Sequence, residues 1–444
     1  MSKHIESIGV DTVPDNQRTG KPRNIISVFV GSNLSLSVMV FGWLGILYGL
    51  SWWQSVSAIL VGTFIAAAFV SASSLLGWRA ATNNSVSSGA FFGVKGRLIA
   101  SFVGLLLCIQ YVALTVWTGG EIISAGWARL TDSEISDSLT AIGYAVIAIA
   151  VVTFAVLGYS WIIKLSKYVT LLMALLVVLS IIGLWSAFDP SYPGDPEVYA
   201  LGSLWPTWFL TALTCGAAGP ISYVTQTGDW SRYISECAHS ARDIVKNTFI
   251  AMVVGLSIPT LFGAFVAGAP SWLLIPLLLV GFIGSLGQGS INLYSMGLDM
   301  DAIIPKLSRL QSTVLVAGIS TGLVFIGKFV YDAEAAVTNS VLFLTSLAAS
   351  WIAISLFGYY KNKGSFDKAA LQIFNRRETG GKYWFTGGWN LKATFSWIIG
   401  SIIGILGIST VDYVGPIAAA LGDVDVSVPG AVISALLIYA VLER

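Results

Sequence analysis

Twelve long apolar runs divide this chain, and they leave few folds open to it. A helix needs roughly 20 apolar residues to cross about 30 Å of hydrocarbon. The runs fall at 25–48, 52–77, 98–125, 138–158, 161–188, 203–226, 243–268, 272–298, 312–331, 337–358, 394–411 and 427–442. Charged residues make up 11% of the chain, against roughly 25% in a soluble domain. The expectation is an all-α polytopic membrane protein of about 12 transmembrane helices.

Loop charges test that count independently. With the N-terminus in the cytoplasm, 22 of the 24 basic residues fall in inside segments, and only Arg129 and Lys328 fall outside. A missed span would scramble that pattern, so the positive-inside rule predicts cytoplasmic N- and C-termini in a plasma membrane. The tail carries Lys3, Arg18, Lys21 and Arg23 without a cleavable apolar stretch, and reads as a cytoplasmic lead-in. Trp52, Trp53, Trp127, Trp205, Trp208 and Trp272 stand near span ends, where interfacial aromatics gather. The longest inside loop mixes basic residues with Phe374, Tyr383, Trp384 and Phe385. It is expected to lie partly on the membrane surface.

Composition removes several function classes. A net charge of +1 gives no electrostatic case for nucleic acid. Cys108, Cys215 and Cys237 are too far apart for a metal or disulfide pattern. No Walker motif supports direct ATP drive, and no His/Asp/Glu cluster is read within the spans. An integral-membrane enzyme, a channel and a non-transporting receptor therefore stand behind a transporter. No cofactor and no obligate protein partner are expected.

Two segments read badly as continuous helices. Segment 1 contains Gly31-Ser32-Asn33-Leu34-Ser35-Leu36-Ser37, and segment 6 contains Cys215-Gly216-Ala217-Ala218-Gly219-Pro220. A single proline kink is ordinary, but segments 1 and 6 each open a set of five. Interrupted helices at matching positions of two halves point to a transporter site. Five helices per half make the second repeat enter from the opposite side. The division is 1–24 tail, 25–188 first repeat, 203–358 inverted second repeat, 359–393 cytoplasmic loop and 394–444 two further helices.

Polar groups inside spans are costly and tend to be functional. Tyr111 and Thr115 share one face of segment 3, a setting that suits a flat polar heterocycle. Segment 6 continues through Tyr223, Gln226 and Asp229, and segment 8 carries Gln288 and Asn292. Amides match the donor and acceptor edge of a nucleobase, an amide or a urea. Interhelical hydrogen bonding is the bland reading of each one singly. Asp229 and Arg232, at the inner end of segment 6, read as a pair, a gate or both. Glu121 reads as a solvated interfacial residue.

The motifs resemble one known family. Glu6-x-x-Gly9-Val10-x-x-Val13-Pro14-x-x-x-Arg18, Trp117-x-Gly119-Gly120, Gly228-Asp229-Trp230-Ser231-Arg232-Tyr233, Asn292-x-Tyr294-Ser295-x-Gly297-Leu298 and Tyr383-Trp384-Phe385-Thr386-Gly387-Gly388-Trp389-Asn390 occur in order. The pattern resembles the nucleobase:cation symporter family, purine–cytosine permease branch. The resemblance implies a LeuT-type fold and uptake of a cytosine, purine or related heterocycle driven by a proton or sodium. It implies a substrate site at Ser32, Leu36, Tyr111, Thr115, Asn292 and either Tyr223 or Pro220, to which the residues themselves add Gln288, one turn from Asn292. For a coupling cation it implies Ser32, Ser35, Ile283, Ser285 and Gly287. Sodium-dependent relatives place hydroxyls on segment 8, and the corresponding stretch Ile283-Gly284-Ser285-Leu286-Gly287 has a hydroxyl only at Ser285, so proton coupling stays open.

Overall fold

The computed structural model describes residues 8–266, 274–304, 306–331 and 336–444. Lys3, Glu6 and Trp272 lie outside them. Among the described residues the chain is helical, with isolated bridges and no strand. The first half runs α1 (Pro22–Asn33), α2 (Leu36–Leu47), α3 (Trp52–Ser71), α4 (Ser74–Ala80), α5 (Asn84–Ser87), α6 (Gly89–Phe92), α7 (Leu98–Thr131), α8 (Asp137–Leu157) and α9 (Tyr159–Leu184). Then follow α10 (Leu204–Thr211), α11 (Ala218–Ser222), α12 (Thr227–Ser231), α13 (Ala241–Val266), α14 (Leu274–Ile303), α15 (Arg309–Ile326) and α16 (Ala336–Lys361). The chain ends with α17 (Lys368–Leu371), α18 (Leu391–Leu406), α19 (Pro416–Ala420) and α20 (Ser427–Leu442). Among the described residues, seven helical stretches are long and apolar enough to cross a bilayer, and the bent pair α1/α2 makes an eighth. Helices α18 and α20 are shorter apolar helices that pack on each other and on α16.

Segment 1 breaks where the residues favour it. Helices α1 and α2 meet at 66°, and Ser35 between them is extended (φ −136°, ψ 155°). Serine and asparagine compete with helical bonding through local side-chain contacts. Asn33 Nδ2 donates back to Phe29 O at 2.8 Å and closes the end of α1.

Segment 6 differs from expectation. Residues Ala212–Ala217 form a π-helical section that runs directly into α11. Pro220 has no N–H, and its ring crowds the carbonyl four residues back, that of Gly216. That carbonyl instead accepts from Thr63 Oγ1 at 3.2 Å. The helix widens rather than opens. The true interruption comes later, in the turn over residues 223–226 that precedes α12.

Loops sort into two ends of the bundle. At the more basic end, Val13 N donates to Ala81 O and Gly20 N to Tyr233 O, both at 2.8 Å. Arg18 is buried and donates to the carbonyls of Trp78, Arg232 and Ile234. The tail is thus a strap woven into this end, more than the lead-in expected. The loop before α18 packs here too, with Asn390 Nδ2 on Phe91 O at 2.7 Å and Tyr383 buried. It is a folded cover on α6 rather than a loose surface stretch. At the opposite end Lys328 pairs with Glu121 at 3.3 Å, and Tyr144 OH donates to the same carboxylate at 2.8 Å. Glu121 is therefore bound rather than simply solvated.

Thr63→Val leaves the Gly216 carbonyl without its donor. It should cost about 1–3 kcal/mol and lower the thermal midpoint, while Thr63→Ser keeps the bond and stays near wild type. Equal midpoints for the two variants would refute the role given to Thr63.

Candidate functional site

The break in segment 1 is held by a helix face that lacks side chains. A Cβ on Gly284 of α14 would overlap Leu34 O, and one on Gly287 would stand 2.8 Å from Gly31 O. Only glycine permits that approach. One turn along, Gln288 Oε1 accepts from the hydroxyls of Ser35, at 2.5 Å, and Ser37. All three residues are fully buried. The amide thus ties α14 to the first turn of α2, while its Nε2 has no partner.

Beside the break lies a small cavity of about 20 Å³. Asn33, Val38 and Phe41 line it from α1 and α2, Tyr111 from α7, and Leu256 and Thr260 from α13. Segment 6 supplies Thr214, Cys215, Gly219 and Tyr223. The wall is mostly apolar with a few fixed polar groups, as in small-molecule sites. Tyr223 OH donates to Asn33 Oδ1 at 2.7 Å, and its ring meets Phe29 edge-on with centroids 5.0 Å apart. Tyr111 OH lies 3.0 Å from Ser222 Oγ. Thr214 Oγ1 is buried, faces this space and has no partner. The cavity is narrow: its open core has room for about one water-sized sphere. A planar ring enters only as the walls part.

Of the eight residues expected around a substrate, Tyr111 and Tyr223 line this cavity. Thr115 Oγ1 bonds back to Tyr111 O at 2.7 Å, and its methyl faces Gly289 of α14. Leu36 packs into the apolar cluster around Met39 and Val169, where Ile283 also sits. Pro220 is buried within α11. Gln288 belongs to the break, as above. Asn292 Oδ1 accepts from Gln226 Nε2 at 3.2 Å, further toward the basic end. Of the expected cation residues, Ser32 Oγ donates to Phe29 O at 3.1 Å. At the break Ser35 lies against Gly284, and Gly287 against Gly31 and Ser32. Ser285 Oγ turns instead toward Gly119 of α7.

Nearer the basic end, Arg232 donates to Gly9 O at 2.6 Å and to the hydroxyls of Tyr233 and Tyr294 at 3.0 and 3.1 Å. Asp229, at the head of α12, is buried. One residue escaped the sequence reading altogether. Asp299 of α14 is 3% exposed, accepts from Ser85 Oγ at 2.7 Å and packs against Gly104 of α7. Among the described residues it forms no ion pair. Its signal was its spacing: Asp299 follows Asn292 by seven residues, two helical turns down one face.

A family model for permeases of cytosine/purines, uracil, thiamine and allantoin matches residues 12–428. The chain belongs to this family. It is 22% identical over 472 residues to "Putative purine-cytosine permease YxlA" of Bacillus subtilis, covering 99% of this chain and 96% of that protein. It is 23% identical over 446 residues to an uncharacterized permease of Schizosaccharomyces pombe, covering 89% of this chain and 73% of the other. In fold it is similar to Mhp1, a nucleobase-cation-symport-1 family transporter, closed with bromovinylhydantoin bound. That likeness has a TM-score of 0.73 at 15% identity, over 98% of this chain and 94% of Mhp1. Inward-facing Mhp1 gives 0.71 at 14% identity, over 99% and 96%. A sodium-coupled sialic acid symporter, outward-open, gives 0.58 at 16%, over 96% and 90%. These likenesses establish the LeuT-type fold expected from the motifs.

Tyr223→Phe leaves the buried Asn33 Oδ1 without its donor, which should cost about 1–3 kcal/mol of stability. Combined with Asn33→Ala, the loss should fall short of the sum by about 1 kcal/mol. Strict additivity in thermal or denaturant unfolding would show that the two side chains do not act together.

Proposed function

We propose that this permease carries a nucleobase or a related flat heterocycle into the cell by alternating access, driven by a cation gradient. The observation that carries this reading is the narrow cavity at the break of segment 1. It is walled by segments 1, 3, 6 and 7 and holds two tyrosines, an asparagine and an unpartnered threonine hydroxyl. Aromatic faces hold a planar ring, and the hydroxyl and amide groups read its edge. The purine–cytosine name of the Bacillus relative and the bromovinylhydantoin in Mhp1 point to the same ligand chemistry. The loop charges support a plasma-membrane orientation with the basic end in the cytoplasm.

Protons are the coupling ion we favour. A carboxylate buried without a cation is costly and needs either a proton on it or a positive charge beside it. Asp299 is so placed. The groups facing it are Ser85 from α5, Cys108 from α7 and Asp229 from α12, none of them basic. Arg97 and Arg232 act on Asp301, two residues along. A proton taken up by Asp299 removes that cost, and its release toward the cytoplasm restores it. Sodium is the competing reading, because the Gly31 and Leu34 carbonyls face α14 at the break.

Proteoliposomes separate the two. Uphill accumulation of labelled base should follow an inward proton gradient, and Asp299→Asn should abolish it while base exchange persists. Accumulation driven by sodium alone, or unchanged proton-driven accumulation in Asp299→Asn, would overturn the proton assignment. Absence of both exchange and accumulation in the wild type, for every base offered, would overturn the transport reading.

A further inference from the structure

A second cavity lies well away from the segment 1 break. It opens at the basic end, between the end of α14, the turn before α7 and the loop that precedes α18, with a volume of about 480 Å³. Lys95, Lys306 and Arg377 line it, against one carboxylate, Glu378. Ile304, Phe374 and Trp384 form apolar walls. We propose that this groove binds the headgroup phosphate of an anionic phospholipid from the leaflet at the basic end.

Four observations point to that ligand. The three basic side chains form no ion pair among the described residues, so their charge is available. Lys95 Nζ is held over the Trp384 ring, 5.2 Å from its centroid, which aims an ammonium into the groove beside an interfacial aromatic. Arg377 stands with φ at 59°, where its N–H meets Phe374 O and that of Glu378 meets Ile373 O. Glycine or asparagine usually takes such a turn-closing position. An arginine there carries its guanidinium on a tight turn that lines the groove. Behind the wall, Arg97 stacks on Phe374 at 4.8 Å. It is fully buried, and its Nε and Nη1 have no partner. Asp301 and Asp11 lie near enough to temper that charge.

Position decides the source of the phosphate. The groove sits where α7 begins and α14 ends, at the basic end of these apolar helices, and basic pockets at such a place suit anionic lipids. Ile304 at its rim is 40% exposed, and Phe102 in the first turns of α7 is 56% exposed. Ile304 at the rim gives an acyl chain an apolar surface beside the charged groups. Glu378 repels a doubly charged free phosphate more than a singly charged phosphodiester. The apolar walls do nothing for a free ion.

The test is the thermal midpoint of the purified full chain in detergent with added lipid. Phosphatidylglycerol should raise it and phosphatidylcholine should not. The exposed double variant Lys306→Gln/Arg377→Gln should lose at least about half of that shift. A charge-matched control at the same end, Lys363→Gln/Lys392→Gln, should keep it. An equal shift from phosphatidylcholine, equal loss in both double variants, or the same shift from inorganic phosphate would each overturn the proposal.

Discussion

Opened backbone at Leu34–Ser35, pressed against the side-chain-free face of α14, sets the geometry of the whole core. In a bilayer an unwound stretch survives only where protein or a lined cavity satisfies it. Here Gly284 and Gly287 let α14 touch the carbonyls of the break, and Gln288 collects the hydroxyls of Ser35 and Ser37. That clamp fixes the 66° turn between α1 and α2. The turn in turn brings Asn33, Val38 and Phe41 round to face Tyr111 and segment 6. Without glycines on α14 there would be no room for the break, and without the break no cavity.

The same helix carries two further jobs. Below Gln288 it presents Asn292 to Gln226, and below that Asp299 to Ser85. Its end meets the N-terminal strap, where Val10 N donates to Asp301 Oδ2 at 3.1 Å. A shift of α14 relative to segment 6 is therefore felt at the break, at the buried carboxyl and at the strap together. Coupling of ion and substrate needs such a shared rigid element, with contacts that differ between states.

Much of this was legible in the residues. The length of the apolar runs and the sorting of 22 basic residues to one side gave the bundle, because hydrocarbon thickness and loop charge act on composition directly. The segment 1 break was readable from its serines, asparagine and glycine. The segment 6 break was misplaced because Pro220 looked like a breaker. Its consequence was absorbed by a π-helical section and by Thr63, a residue 157 positions away whose help no local pattern reveals. At the candidate site, the expected residues Tyr111 and Tyr223 line the cavity. Thr115 was drawn in by its spacing from Tyr111, yet its hydroxyl turns back onto its own helix. Thr214 and Asn33 were passed over because a hydroxyl or amide in an apolar run gives no sign of which way it faces. Asp299 fell just past the expected end of segment 8, so a buried carboxyl looked like a loop residue.

The central claim is that a flat heterocycle binds in the narrow cavity beside the segment 1 break. Equilibrium binding of labelled nucleobases and hydantoins to the purified protein tests it most directly, with Thr214→Val as the probe. The threonine hydroxyl has no partner in the protein, so its removal leaves folding intact. The predicted result is saturable binding of at least one such ring, weakened about tenfold in Thr214→Val, as expected for one lost hydrogen bond. Binding of equal strength in the two proteins, or no binding of any ring of this class, would contradict it.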